Sequence, residues 1–311
     1  MRVRTLLPLS FTILTACSAV PSRPISTPIP VREQTTVTTL DSPHPTPAPI
    51  VPAAQPPSPN YTVVHFDSLS AALDSSLTEA VRVVAFGEIH KTENSSLVST
   101  LQHFAPEAFP LLAQRHFNDF VFEGLPSSRQ AAIEASRGRF GHFLQTWFAY
   151  HADYCGILSV LRQASQTGVR LHGVNFQNLA EQYAHFPQAA ELINQRTLTT
   201  TQELLARGRR VALYNGLDHN NLTCLYGNTQ TCFGQTLRRQ LGSGYIEVDL
   251  LIPELAQLVS AGNIAFPEWI SNIPSQGVNR ITFENGRTII IFPWSITPIQ
   301  EEFPIAAPAC I

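Results

Sequence analysis

Short apolar segments that alternate with longer helical patterns constrain the fold of this chain more than any other feature. Five segments are rich in β-forming residues, namely residues 81–86, 119–123, 169–175, 210–215 and 245–252. Helical patterns separate them over residues 94–115, 127–167 and 187–207, with a break expected near Pro106 and Pro110. Strands separated by helices need crossover connections, which favour parallel pairing. We therefore predict an α/β fold with a mainly parallel sheet flanked by helices, and a helical insertion around residues 127–167.

The C-terminal part of the chain departs from this alternation. Residues 280–284 and 287–292 are β-rich and flank the pair Asn285-Gly286, which favours a tight hairpin turn. We predict an antiparallel hairpin there, at an edge of the sheet. Residues 61–311 are numerous enough for one α/β domain with a proper core, and we assign them to a single domain.

The first 17 residues have the order of features that a secretion signal needs. Arg2 and Arg4 precede an apolar run over residues 5–14, which is too short to span a bilayer. The run ends in Leu14-Thr-Ala-Cys17, which resembles the lipobox of bacterial lipoproteins. The resemblance implies a signal peptide over residues 1–16 and acylation of Cys17, so the partner is a lipid bilayer. Ser18, by resemblance to Gram-negative sorting, implies an outer-membrane anchor in the cell envelope. An ordinary signal peptide cut elsewhere is the alternative.

Proline dominates the segment that follows the anchor. Residues 18–60 hold 12 of the 24 prolines and only four charged residues. Proline at this density prevents helix and sheet, and in extended form, at roughly 3.1 Å per residue, the segment reaches on the order of 100 Å. We predict that residues 17–60 form a disordered tether, with a partner-binding segment as the alternative.

Charge and missing motifs exclude several classes of function. The net charge is −3 and no basic face stands out, so we do not expect a nucleic acid partner. The sequence has no Gly-x-Ser-x-Gly elbow, no Walker loop and no His-Glu-x-x-His motif. These absences argue against a common serine hydrolase, a nucleotide triphosphatase and a zincin.

Four cysteines follow Cys17 in the sequence. An even number of cysteines in an oxidising compartment suggests disulfides. Cys224 and Cys232 flank a short loop and are the favoured pair, which leaves Cys155 and Cys310. Free buried thiols are the alternative.

Polar side chains follow several of the predicted strands. Gly87-Glu-Ile-His90 follows the first, Glu123 closes the second, Asn175 closes the third, and Gly216-Leu-Asp-His219 follows the fourth. Ligands of open α/β sheets bind beyond the carboxyl ends of the strands, where these groups meet, and we expect each glycine to allow a sharp turn. The candidate site residues are Glu88, His90, Glu123 and His219. They suit a divalent metal that activates water, or metal-free general base catalysis. Helix caps and loop residues without function are the alternative.

Three features together resemble one superfamily. They are the motif Phe86-Gly-Glu-Ile-His90, a glutamate that closes the next strand, and a second Gly-x-x-His segment. The superfamily joins the ChaN-like haem-binding lipoproteins, the erythromycin esterases and the Tiki/TraB proteins, and the similarity covers roughly residues 80–255. It implies that Glu88, His90, Glu123 and His219 occupy the positions of the site residues. Tiki proteins are described as metal-dependent proteases, erythromycin esterases as hydrolases with a histidine base, and ChaN as a haem binder. Asp218 and the two asparagines after His219 match no single branch.

Other residues offer weaker signals. Phe143, Trp147, Tyr150 and Tyr154 form one stripe of a helix. The stripe could wall a pocket for a flat apolar ligand, and Tyr150 or Tyr154 could ligate haem iron; core packing is the alternative. Glu247 and Asp249 alternate with apolar residues and are expected to face solvent, or one of them to reach the rim of the sheet.

Three hypotheses about function follow. The first is an envelope lipoprotein that binds haem or a similar ligand at the Glu/His site. The second is a hydrolase, metal-dependent or based on histidine and glutamate, that acts on a peptide, an ester or a lactone. The third is an envelope interaction protein with a degenerate site.

Overall fold

Apolar segments form eight strands among the residues that the computed structural model describes, which are 61–90, 98–137, 153–178, 181, 184–185, 188–217, 219–220, 232–254, 273–274 and 276–293. The strands are β1 (Tyr61–Phe66), β2 (Val83–Glu88), β3 (Asp119–Pro126), β4 (Arg170–Asn175), β5 (Val211–Gly216), β6 (Tyr245–Leu251), β7 (Val278–Phe283) and β8 (Thr288–Ile291). They build one sheet in the order β1-β7-β8-β6-β2-β5-β3-β4.

Most of the sheet is parallel. The neighbours β8, β6, β2, β5, β3 and β4 all run in the same direction, and β7 runs antiparallel to both β1 and β8. The predicted α/β fold, with a mainly parallel sheet flanked by helices and a C-terminal antiparallel strand pair, is confirmed. The five strands predicted for the middle of the chain are β2 to β6.

The C-terminal hairpin lies inside the sheet and not at its edge. Strand β8 pairs with β6 on its other side, and β7 pairs with β1, which the sequence analysis did not identify as a strand. In the turn, Gly286 has a φ of 85° and Asn285 does not have a positive φ. A type I′ turn needs a positive φ at both central residues, so this hairpin uses a different turn.

Six α-helices cover the two faces of the sheet in the described part of the chain. They are α1 (Leu69–Asp74), α2 (Thr100–Gln114), α3 (Arg129–Ser136), α4 (Tyr154–Thr167), α5 (Ala189–Ala206) and α6 (Phe233–Leu241). Apolar residues of α1, α2, α3 and α4 pack on one face, and those of α5 and α6 pack on the other. Helices α3 and α4 account for part of the predicted insertion; residues 138–152 lie outside the described part.

Helix α2 continues through Pro106 and Pro110, where we predicted a break. Both prolines are on the exposed side of the helix, so water can solvate the carbonyl groups that lose an N–H partner. The opposite side packs against the sheet through residues such as Phe104 and Phe109, which are completely buried. Tertiary packing therefore holds the helix together across the prolines.

All described residues belong to one compact unit, Pro56–Ile311. Cys155 and Cys232 are each disulfide-bonded, in agreement with the predicted disulfides. Their predicted partners, Cys310 and Cys224, lie outside the described residues. Also outside them are the predicted signal peptide, Cys17 and the tether. In the part of the chain that the structure describes, no helix is long and apolar enough to cross a membrane.

Candidate functional site

The carboxyl ends of three adjacent strands, β2, β5 and β3, bring the predicted site residues together. Glu88 ends β2 and pairs in register with Gly216, which ends β5. Glu123 lies on β3 on the other side of β5. The chain leaves β2 and β3 toward the face covered by α2 and α4, and it leaves β5 toward α6 on the opposite face. Such a reversal opens a crevice at the strand ends, where α/β proteins bind ligands.

Glu88 holds the ring of His90. Oε1 of Glu88 lies 3.1 Å from Nδ1 of His90, and Oε2 accepts a hydrogen bond of 2.6 Å from the hydroxyl of Tyr214. Glu88 and Tyr214 are buried, whereas 56% of the His90 side chain is exposed. A buried carboxylate therefore orients a histidine that solvent and a ligand can reach.

The charges around His90 favour its protonated form. Desolvation of the ring by the surrounding protein acts to lower the pKa of His90, and the hydrogen bond that Nδ1 donates to Glu88 acts to raise it. The charges of Glu123, Glu88 and Asp153 raise it further, so that the pKa reaches about 9. His90 is therefore a cation at neutral pH, with a proton on Nε2 that faces the crevice.

Glu123 lies between the two predicted histidines. Its Oε1 is 3.9 Å from Nε2 of His90 and 3.7 Å from Nε2 of His219. Its Oε2 accepts a hydrogen bond of 2.9 Å from the backbone N–H of Gly216. The side-chain amide of Asn175, which closes the third predicted strand, donates to the carbonyl oxygen of Glu123. The carboxylate is thus fixed, with one oxygen directed at both imidazole rings.

His219 is oriented by a residue that the sequence analysis missed. Its Nδ1 lies 2.8 Å from Oδ1 of Asn194, on α5. An amide oxygen only accepts hydrogen bonds, so this contact assigns the proton of the neutral ring to Nδ1. The lone pair then lies on Nε2, which faces Glu123. His219 is largely buried, with 14% of its side chain exposed.

We expected the glycines of the two Gly-x-x-His segments to allow sharp turns, but neither glycine lies in a turn. Gly87 and Gly216 both lie within strands, and neither has a positive φ. A Cβ on Gly216 would lie 2.7 Å from Nε2 of His90 and 3.3 Å from Cδ2 of His219. Gly216 is needed because both imidazole rings pack over its backbone.

Tyr214 and Asp153 are further members of the site that the sequence analysis missed. Burial, followed by the charge and the hydrogen bond of Glu88 and the charge of Asp153, raises the pKa of Tyr214 well above its ordinary value, so its hydroxyl remains a donor. Asp153 caps α4, where its Oδ1 accepts from the N–H of Gly156. A capping aspartate has no sequence signal that distinguishes it from other helix caps.

The remaining candidate residues lie elsewhere. Tyr154 begins α4 and packs, half-buried, against the core, as the packing alternative expected. Tyr150 lies outside the described residues, and so do Phe143, Trp147 and Asp218. Glu247 and Asp249 are buried, at 1% and 2% exposure, so the prediction that they face solvent was wrong. Arg287 compensates their charge, with Nη2 at 2.7 Å from Oδ2 of Asp249.

The side chains predicted as metal ligands, Glu88, His90, Glu123 and His219, do converge. Within the described ranges, no group of three His, Cys, Asp or Glu side chains is disposed to hold a metal ion. The divalent metal and the haem both stay predictions.

Comparison with known proteins adds little about function. No family model and no curated protein matches the chain. Among solved structures, it is similar to the type III effector HopBA1, with 13% identity and a TM-score of 0.46 over 77% of this chain and 99% of that one. A Bacillus cereus protein matches with 11% identity and a TM-score of 0.41, over 58% and 68%. The effector domain RRSP of a Vibrio vulnificus toxin matches with 16% identity and a TM-score of 0.30, over 47% and 29%.

At TM-scores below 0.5, these similarities carry no argument about what the chain does. They name no ChaN-like lipoprotein, erythromycin esterase or Tiki protein. The superfamily resemblance therefore stays a prediction.

Proposed function

We propose that this chain is a hydrolase of esters, lactones or peptides whose acid and base are His90 and His219. One observation carries the proposal: both Nε2 atoms face Oε1 of Glu123, and each ring is fixed at Nδ1 by a separate acceptor. Two imidazoles held in this way can differ in protonation, which a general acid and a general base require.

In the proposed reaction, Nε2 of His219 accepts a proton from water while the water oxygen attacks the carbonyl carbon of the substrate. The protonated ring of His90 donates its Nε2 proton to the leaving oxygen or nitrogen as the bond to the carbonyl carbon breaks. The proton on His219 then returns to His90 through Glu123 or solvent, which restores both rings. Glu88 and Tyr214 position His90, and Asn194 positions His219.

We further propose that the hydrolase works in the cell envelope, held on the outer membrane by acylated Cys17 and a proline-rich tether. The proposal is supported by the order of features in residues 1–17 and by the proline content of residues 18–60. A tether with a reach on the order of 100 Å lets the domain act on small molecules or peptides away from the lipid surface.

A screen of ester, lactone and peptide substrates tests the catalytic proposal with the mature chain. We expect His90→Ala and His219→Ala each to lower kcat by roughly 10²- to 10⁴-fold, the usual contribution of a positioned acid or base. His103→Ala, on the exposed side of α2, is the matched control and should keep full activity. Equal activity of wild type and His90→Ala would remove His90 from the mechanism.

Two further measurements separate the alternatives. Elemental analysis of the purified chain, with activity assayed before and after a chelator, distinguishes metal-dependent from metal-free hydrolysis. Titration with haemin tests the first hypothesis from the sequence. A Soret shift at micromolar haemin, together with no hydrolysis of any substrate, would favour haem binding over the proposed hydrolase.

A further inference from the structure

Asn220, which follows His219, is anchored more firmly than the histidine itself. Its side chain is completely buried, and its Nδ2 donates to the carbonyl oxygen of Ala85 on β2 and to Oδ1 of Asp249 on β6, both at 3.3 Å. Its own carbonyl oxygen accepts a hydrogen bond of 3.0 Å from the hydroxyl of Tyr245. The residue after His219 is therefore tied to two strands at three points.

Two glycines make room for Asn220. A Cβ on Gly87 would lie 2.7 Å from both amide atoms of Asn220 and 2.8 Å from Oδ1 of Asp249. A Cβ on Gly234 of α6 would meet the carbonyl group of Asn220, with the carbon at 2.7 Å, and the hydroxyl of Tyr245 at 2.8 Å. Gly87 and Gly234 thus accommodate the side chain and the backbone of the same residue.

Asp249 is itself held by a cation. Nε and Nη2 of Arg287, the residue before β8, lie 2.8 and 2.7 Å from Oδ2 of Asp249. The other carboxylate on this side of β6, Glu247, is 3.7 Å from Nε of Arg287. The arginine compensates the buried charge of Asp249 and leaves its Oδ1 directed at Asn220.

We propose that Asn220, Asp249 and Tyr245 are positioning residues that set the backbone from which His219 presents Nε2 to Glu123. The ring has its own contact at Asn194, and the N–H of His219 donates to the carbonyl oxygen of Gly216 at 2.9 Å. The buried anchor at Asn220 fixes the chain on the other side of the histidine. The effect on catalysis rests on the proposed function, whereas the effect on the ring of His219 does not.

NMR of the His219 ring nitrogens in the mature chain, combined with kinetics, tests this proposal. Asp249→Asn removes the charged acceptor of Asn220 without changing its size. We expect the His219 ring signals of this variant to shift and broaden, and kcat to fall roughly 10- to 100-fold with little change in KM, because a small misplacement of a catalytic group is costly. Glu247→Gln removes a neighbouring buried charge beside the same arginine and serves as the matched control, with His219 signals like those of wild type.

Unchanged His219 signals in Asp249→Asn, with a loss of stability equal to that of Glu247→Gln, would overturn the proposal. If Asp249→Asn fails to fold, Tyr245→Phe decides, since it removes only the hydroxyl that binds the Asn220 carbonyl. Tyr245→Phe should shift the same signals, and signals identical to wild type would count against the proposal. If wild type hydrolyses no substrate, the proposed function fails and the NMR comparison still tests the positioning role.

Discussion

The hydroxyl of Tyr214 donates a hydrogen bond of 2.6 Å to Oε2 of Glu88, and both side chains are buried. The ring of Tyr214 packs in an aromatic cluster, with its centroid 5.0 Å from that of Phe104 and 5.9 Å from that of Phe122. The hydroxyl therefore cannot turn away to water. It satisfies the oxygen of Glu88 that does not bind His90, so the core of the domain and the site share one side chain.

Tyr214→Phe is expected to destabilise the fold, because it leaves a buried carboxylate oxygen without its donor. The loss should be about 1–3 kcal/mol in the free energy of unfolding, measured by urea denaturation. Tyr245→Phe is the matched control, since its buried hydroxyl donates to a neutral carbonyl group. Hydrogen bonds to charged groups are the stronger ones, so the control should lose less. Equal losses in the two variants would mean that the charge of Glu88 adds nothing to the bond.

The pKa of His90 predicts a pH dependence of both stability and activity. In the folded chain this pKa is about 9, above its ordinary value of 6.5. The protonated ring therefore stabilises the fold fully below about pH 6.5, and this contribution is lost as the pH rises through about 9. If His90 is the general acid, kcat should fall over the same alkaline range. An NMR titration of His90 and a pH profile of kcat measure the two effects.

Glu88→Gln supplies the variant for that experiment. It removes the negative charge that holds the proton on His90, so the pKa of His90 and the alkaline limb of the profile should both move to lower pH. Glu107→Gln, which replaces a carboxylate on α2 that accepts from the backbone of Ser70, should change neither. A His90 that titrates at or below pH 6.5 in wild type would contradict the prediction.

Most of the fold was predictable because β2 to β8 and helices α2 to α5 carry their own local patterns, whereas β1, α1 and α6 were not identified. The sequence also predicted that Glu88, Glu123 and the two histidines lie at one rim, since parallel strands share the edge at which their carboxyl ends lie. It did not predict Tyr214. Strand β3 follows β2 in the chain, but in the sheet β5 lies between them. The pairing of β5 with β2 brings Tyr214 next to Glu88, and the sequence does not reveal that pairing.

Asn194 was missed for a related reason, and for Asp249 the sequence left open whether it faces solvent or reaches the rim. A polar residue on a helix and an acidic residue on a strand have no local pattern that separates a buried role from a solvated one. Their partners, His219 and Asn220, are distant in sequence. The alternation of Glu247 and Asp249 with apolar residues suggested a solvent face, but Arg287, which precedes β8, makes their burial possible.

The lipid anchor gives a prediction that does not depend on the site. Cys17→Ser should abolish labelling with radioactive palmitate and release the chain from the membrane fraction of a two-membrane bacterium, because acyl chains provide the affinity for lipid at roughly 0.8 kcal/mol per buried CH₂. Thr15→Ser keeps a small residue before the cysteine and should be labelled like wild type. Labelling that persists in Cys17→Ser would place the acyl chains on another residue.

Gly216→Ala should damage the site while sparing the fold. Its Cβ would lie 2.7 Å from Nε2 of His90, which is exposed and can move away, and 3.3 Å from Cδ2 of His219. We expect kcat to fall by at least about 10-fold, because both rings must shift from Glu123, while the melting temperature changes little. Thermal unfolding and kinetics on the same sample measure both.

Alanine variants of two other glycines serve as controls for this prediction. Gly244→Ala adds a Cβ whose nearest neighbour is 3.4 Å away, an ordinary contact, and should change neither activity nor stability. Gly87→Ala would press on Asn220 and Asp249, which are buried and held by several bonds, so it should cost about 1–3 kcal/mol of stability. If Gly216→Ala loses as much stability as Gly87→Ala, the histidines are not free to move away, and the glycine serves the fold. If it behaves like Gly244→Ala, the two rings do not need their places above β5 for activity, and the proposed acid–base pair is wrong.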